Sequence, residues 1–163
     1  MATNRIPPGT SFAYAVGIRT LDEQLRRIDA LDSKAGTLLA ADGLLAGILF
    51  ATSSSVRSAP RWTVVGLVLT LFASLLLALL AFANRRYEDA PNPSHVVRFA
   101  LRDEAWLQWR FMGNVLGAID VNGRKLRRKA RLLASSLVSL IAAVGLLGGY
   151  LLYASVTHRL GRT

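Results

Sequence analysis

The chain has 163 residues, is 52% hydrophobic and carries 20 Lys and Arg against 10 Asp and Glu, a formal net charge of +10. Its length suits one domain, and the absence of cysteine excludes disulfides, thiolate nucleophiles and Cys-ligated metal. Such a basic balance would suggest nucleic acid in a soluble protein, but here the charge sits beside three apolar blocks, where membrane topology and anionic lipid account for it with no nucleic acid partner.

The blocks are residues 35–52, 62–83 and 132–156, each about 18–25 residues long, enough to cross a hydrocarbon core of ~30 Å as a helix. Nothing alternates with period two, so a strand barrel is not expected. The expected fold is an all-α membrane protein with three transmembrane helices plus two amphipathic cytoplasmic helices. No Lys or Arg falls within a block. Segments 1–34 and 84–131 hold sixteen of the twenty and lie on one side of a three-span chain. The positive-inside rule makes that side cytoplasmic. This predicts a multi-pass protein of the cell inner membrane with its N-terminus inside.

In chain order, residues 1–10 contain Ile6-Pro7-Pro8-Gly9 and read as a flexible tail. Thr10 or Ser11 can cap a cytoplasmic amphipathic helix over 11–34. Ile18, Leu21, Leu25 and Ile28 recur at 3-4-3 spacing, the stripe of a packing helix, and Asp22, Glu23, Arg26, Arg27 and Asp29 fill the other face. The helix is expected to run directly into span one, joining a cytoplasmic segment to a membrane segment. Residues 53–61 are too short to hold a ligand, so spans one and two form an antiparallel hairpin. Trp62, Tyr87, Tyr150 and Tyr153 sit at block ends as interface anchors.

The segment 94–131 is basic and helical, with eleven basic and five acidic residues over 84–131. Ser94 can cap it, and Phe99, Trp106, Trp109 and Phe111 are interspersed with Arg98, Arg102, Asp103, Glu104 and Arg110. Those charges argue for a helix at the interface rather than a fourth span. Asp120-Val121-Asn122-Gly123 reads as a turn that ends this helix before span three. Residues 157–163 form a short external tail.

Asp42 lies about 12 Å beyond Lys34 along a helix. A carboxylate near the membrane centre costs roughly 2.5–3.5 kcal/mol to insert, so Asp42 faces protein or water. One reading is an ion or proton path or a gate. The other is a structural hydrogen bond to Thr70, Ser74, Ser135, Ser136 or Ser139. Gly43 with Gly47, and Gly145 with Gly149, form two G-x-x-x-G pairs suited to close helix packing, within the chain or in a homo-oligomer. Arg85, Arg86, Arg124, Lys125, Arg127 and Arg128 could contact phosphate or lipid headgroups. His95 and His158 are on opposite sides and cannot share a metal, and no metal, cofactor or catalytic constellation is visible. Asp29, Asp32, Asp103 and Glu104 read as solvated helix charges.

Asp32-Ser33-Lys34-Ala35-Gly36-Thr37-Leu38-Leu39 resembles the D-x-K-A-x-x-L-L signature of the Pycsar transmembrane effector family, small bacterial antiphage membrane proteins. The matching positions are Asp32, Lys34, Ala35, Leu38 and Leu39, and the order of helix, span, hairpin return, soluble segment and final span is also similar. The resemblance implies a non-enzymatic effector, with no cofactor, that responds to cyclic UMP or cyclic CMP made by a partner nucleotide cyclase and damages the membrane. It carries over no nucleotide-contacting residue, so sensing falls to helices 11–34 and 94–131. The alternatives are a constitutive small channel or transporter subunit, and a non-catalytic membrane scaffold.

Overall fold

The structure is a computed structural model that describes residues 6–51, 60–83, 87, 99 and 102–160, with side chains to 156. Three helices account for these residues: α1, Thr10–Ala51; α2, Arg61–Ala83; and α3, Glu104–Leu160. All three are long and apolar enough to cross a membrane, and no strand occurs among the described residues. The expected anchoring tails and loops at 1–5, 52–59, 84–86, 88–98 and 161–163 lie outside the described residues, and with them Arg85, Arg86, Ser94 and His95.

Each helix starts on a main-chain acceptor. Gly9, at φ +89°, accepts from Ala13 N at 3.0 Å, a conformation that glycine adopts without a Cβ penalty. Thr10 does not cap with its hydroxyl: Oγ1 donates back to the Pro7 carbonyl at 2.7 Å and closes the turn before the helix. The Pro60 carbonyl accepts from Thr63 N at 2.9 Å at the start of α2, and the Asp103 carbonyl from Leu107 N at 3.1 Å at the start of α3.

Residues 11–34 are the first part of α1 and run directly into span one. The expected turn after the segment's helix differs from the structure: within 94–131, α3 continues unbroken through Asp120-Val121-Asn122-Gly123 into span three, so the described part of that segment is no separate helix. The reason is local. Asp120 and Arg124 form an i,i+4 ion pair across the expected break, Asn122 is fully buried, and Gly123 keeps a negative φ. Gln24 Nε2 lies 3.6 Å from where a Cβ at Gly123 would be, an ordinary contact distance.

The chain divides into two compact units. The first comprises residues 1–30 and 85–128. Within it α1 and α3 pair through Leu21, Ile28, Phe111, Val115 and Ala118, all buried, so the stripe at Ile18, Leu21, Leu25 and Ile28 does turn inward. Gln24 Nε2 donates to the Ile119 carbonyl at 3.2 Å. Phe99 stacks against Trp106 and Phe111 with ring centroids 5.7 and 6.3 Å away, and the Arg102 guanidinium lies 5.7 Å from the Trp106 centroid, within cation–π range. Burial pushes the Tyr14 phenol above its ordinary value. The helices approach closely at Gly17, where an added Cβ would meet Val115 Cγ1 at 3.0 Å. Gly17→Leu is therefore expected to cost about 1–3 kcal/mol by overpacking. Val115→Ala should recover part of that loss in a thermal melt of the double variant, and no recovery would contradict this packing.

The second unit comprises residues 31–84 and 129–163. It is a three-helix bundle with α1 and α3 parallel and α2 antiparallel to both. Its core follows a 3.5-residue period: Ala35, Asp42 and Leu45 on α1; Leu67, Ser74, Ala78 and Ala81 on α2; Lys129, Leu133, Ser136, Leu140, Ala143, Leu147 and Tyr150 on α3. Such a period packs helices at about +20°. Ala35, Ala81 and Leu133 make a small-residue layer, and Leu45, Leu67, Leu140, Ala143 and Leu147 an apolar one.

Candidate functional site

Between those two apolar layers, inside the bundle, lies a polar one. Asp42 is only 2% exposed, and Ser74 and Ser136 are fully buried. Ser74 Oγ donates to Asp42 Oδ2 at 3.1 Å. The same oxygen lies 3.1 Å from the Ser136 carbonyl and 3.2 Å from Ser136 Oγ. A hydroxyl has one hydrogen, so Asp42 shares its single described donor with two competing acceptors. Ser136 Oγ donates in return to the Ser74 carbonyl at 3.0 Å. Further along, Ser139 Oγ donates to the Thr70 carbonyl at 2.7 Å, and Thr70 Oγ1 turns back to its own helix. Of the five hydroxyl partners considered for Asp42, Ser74 makes the direct bond, Ser136, Ser139 and Thr70 extend the ladder, and Ser135 faces outward.

The second carboxylate oxygen of Asp42, Oδ1, is buried and has no hydrogen-bond partner among the described residues. A groove of about 760 Å³ opens beside it between α1 and α2, a size that suits a ligand or a packed helix. Its lining is apolar apart from two charged residues, Asp42 and Arg61. The site therefore sets a buried acceptor without a described donor at a residue that lines an otherwise greasy cleft.

The signature residues are placed by the same seam. Asp32 is not a solvated charge: Lys129 Nζ lies 2.5 Å from its Oδ1, with the Lys129 side chain fully buried and that of Asp32 one-quarter exposed. A buried ammonium needs a paired anion, which gives the aspartate of the signature its physical role. Ala35 is fully buried where α1, α2 and α3 meet, so the signature alanine is a matter of size. Leu38 packs against both apolar layers, Leu39 is half-buried, and Lys34 is exposed.

Lys129 was hidden in the basic run 124–131. A seven-residue count finds it: Val115, Asn122, Lys129, Ser136, Ala143 and Tyr150 are spaced by seven and all buried. The rest of the run behaves otherwise. Arg124 pairs with Asp120, Lys125 is half-buried, and Arg127 and Arg128 are exposed. The glycine pairs do not pack within the chain: Gly43, Gly47, Gly145 and Gly149 are exposed, with no described atom within 4 Å of an added Cβ. No cluster of His, Asp or Glu able to hold a metal occurs among the described residues.

A family model, the Pycsar effector protein domain, matches residues 17–155. The chain belongs to the Pycsar effector family. The match runs across all three helices and includes the Asp32–Lys129 pair and the polar layer. No curated protein and no solved structure matches the chain. Membership in the Pycsar effector family supports an antiphage effector role of non-enzymatic type. Together with three membrane-length apolar helices, it indicates a multi-pass membrane protein. A Pycsar system also implies a partner cyclase and a cyclic nucleotide signal.

Proposed function

We propose that the protein is an inner-membrane antiphage effector that responds to a cyclic pyrimidine nucleotide, cyclic UMP or cyclic CMP, and then impairs membrane integrity. The observation that carries this reading is the family match over residues 17–155. The N-terminus and the basic segment 94–131 are cytoplasmic, since sixteen of the twenty Lys and Arg fall on that side. Sensing belongs to the cytoplasmic segments 11–34 and 94–131. Their exposed Arg127 and Arg128 supply phosphate-binding chemistry, and exposed Phe12, Val16, Trp109 and Leu116 supply apolar contact at a membrane surface. The response belongs to the spans, where Asp42 is the group whose environment a helix rearrangement would change most.

Two measurements test it. In cells expressing the protein with a pyrimidine cyclase, phage infection should admit a membrane-impermeant dye, and cells lacking the cyclase should exclude it. Entry in both would refute messenger control. The chain has no cysteine, so Arg128→Cys gives a single reporter of topology. It should react with an impermeant maleimide only after the cells are opened; labelling from outside intact cells would overturn the orientation.

A second reading is favoured by the unpartnered Oδ1 of Asp42 at the groove. It is a constitutive small channel, and it predicts ion flux with no messenger present.

A further inference from the structure

We propose that the groove beside Asp42 is the docking site for α3 of a second copy of this chain, so that copies join head to tail within the bilayer. The inference deepens the functional reading above by naming the assembly, and it rests on the chain spanning a membrane rather than on the identity of the signal.

Two outward faces of the second unit are complementary. On α1, Gly36, Ala40, Gly43 and Gly47 are all exposed at 4-3-4 spacing, and Gly43 lines the groove. On α3, Ser135, Val138, Ala142, Gly145 and Gly149 are all exposed at 3-4-3-4 spacing, on the face opposite the buried seam. Small residues at this period let helix backbones approach closely in lipid, where dispersion and interhelical hydrogen bonds drive association. Small residues alone would not select a partner. The selecting group is Asp42, a residue of the groove lining whose Oδ1 is buried and without a described donor.

Depth selects what meets it. Copies that associate sideways in one bilayer keep the same depth. Asp42 and Ser136 share a layer through Ser74, and Ser135 is the next residue along α3, about 1.5 Å away in rise. An incoming α3 therefore presents the Ser135 hydroxyl, a hydrogen-bond donor, at the height of the lone acceptor. One or two turns outward the same register sets Val138 and Ala142 against Gly43 and Gly47. The two surfaces are different patches, so the contact is heterologous and propagates into a ring or a chain instead of stopping at a dimer. A ring of three-helix bundles gives a membrane effector a direct route to a pore.

The cysteine-free sequence permits a clean test. Chains carrying Gly47→Cys and Ala142→Cys are tagged differently, co-reconstituted in bilayers without nucleotide, and oxidised. Both positions tolerate the change, since Gly47 has no described atom within 4 Å of an added Cβ and Ala142 is exposed. The expected result is a disulfide between the two differently tagged chains and none when either variant is present alone. Placing both substitutions in one chain should give a ladder of multimers. Absence of the mixed cross-link, or equal cross-linking by Gly47→Cys alone, would overturn the proposal. Adding Ser135→Leu to the Ala142→Cys chain should abolish the mixed cross-link, and an unchanged yield would refute the hydroxyl–Asp42 contact. The readout contains no nucleotide and no leakage, so a failure of messenger control would leave these results untouched.

Discussion

Asp32→Ala is expected to destabilise the protein by about 3–5 kcal/mol, the usual cost of breaking a buried ion pair by removing one member. The magnitude comes from the asymmetry of the pair. The Lys129 side chain is fully buried, whereas Asp32 keeps one-quarter of its side chain in contact with the outside. Removing the aspartate therefore takes a carboxylate away from an ammonium that no water reaches. Lys129→Leu is the milder of the two single changes, because it leaves a carboxylate that can turn outward, and it adds apolar volume next to the Ala35, Ala81 and Leu133 layer. The double variant Asp32→Ala/Lys129→Leu should recover most of the loss, as apolar replacements of buried ion pairs do. Thermal unfolding in detergent, followed by circular dichroism, measures all three. A loss below about 1 kcal/mol for Asp32→Ala would place the pair among exposed surface bridges and contradict the burial described here.

Asp42→Leu is expected to do the opposite: leave the fold intact or firmer while abolishing messenger-triggered leakage. The carboxylate carries an insertion cost of roughly 2.5–3.5 kcal/mol near the membrane centre, and one shared hydroxyl offsets only part of it. Ser74 and Ser136 would still satisfy one another through their reciprocal contacts, so the leucine strands no donor. A residue that weakens the bundle and is nonetheless fully enclosed at the meeting of three helices is retained for what it does there. Thermal stability and dye release should therefore move in opposite directions in this variant. Full leakage in Asp42→Leu would reduce Asp42 to a structural hydrogen bond.

The architecture was largely legible because lipid imposes it. Apolar blocks of membrane length and the placement of Lys and Arg are coarse signals that survive any detail of packing, and the three helices follow the three blocks. The stripe from Ile18 to Ile28 was legible for the same reason, as a periodicity. What escaped was where local chemistry and tertiary context disagree. Asp120-Val121-Asn122-Gly123 has the residues of a turn, but an ion pair across it and a buried Asn122 hold it helical. Lys129 stands among five other basic residues between 124 and 131, and composition alone makes it one more headgroup contact. Only the seven-residue register it shares with Asn122 and Ser136 marks it as an inside residue. Asp32 was misread with it, because a solvated charge and a paired one look alike until the partner is known. Asp42 was recognisable as an intramembrane carboxylate, and Ser74 stood among its five hydroxyl candidates. Choosing between them needed the relative height of α1 and α2, which no spacing along one helix contains.

The most direct test of the account is dye release from proteoliposomes holding only this protein, with cyclic UMP or cyclic CMP added from the side that carries the basic segment. Vesicles that are tight at first should begin to leak when one of the two nucleotides is added. Vesicles that leak before any nucleotide is present, or that stay sealed with both, would contradict it.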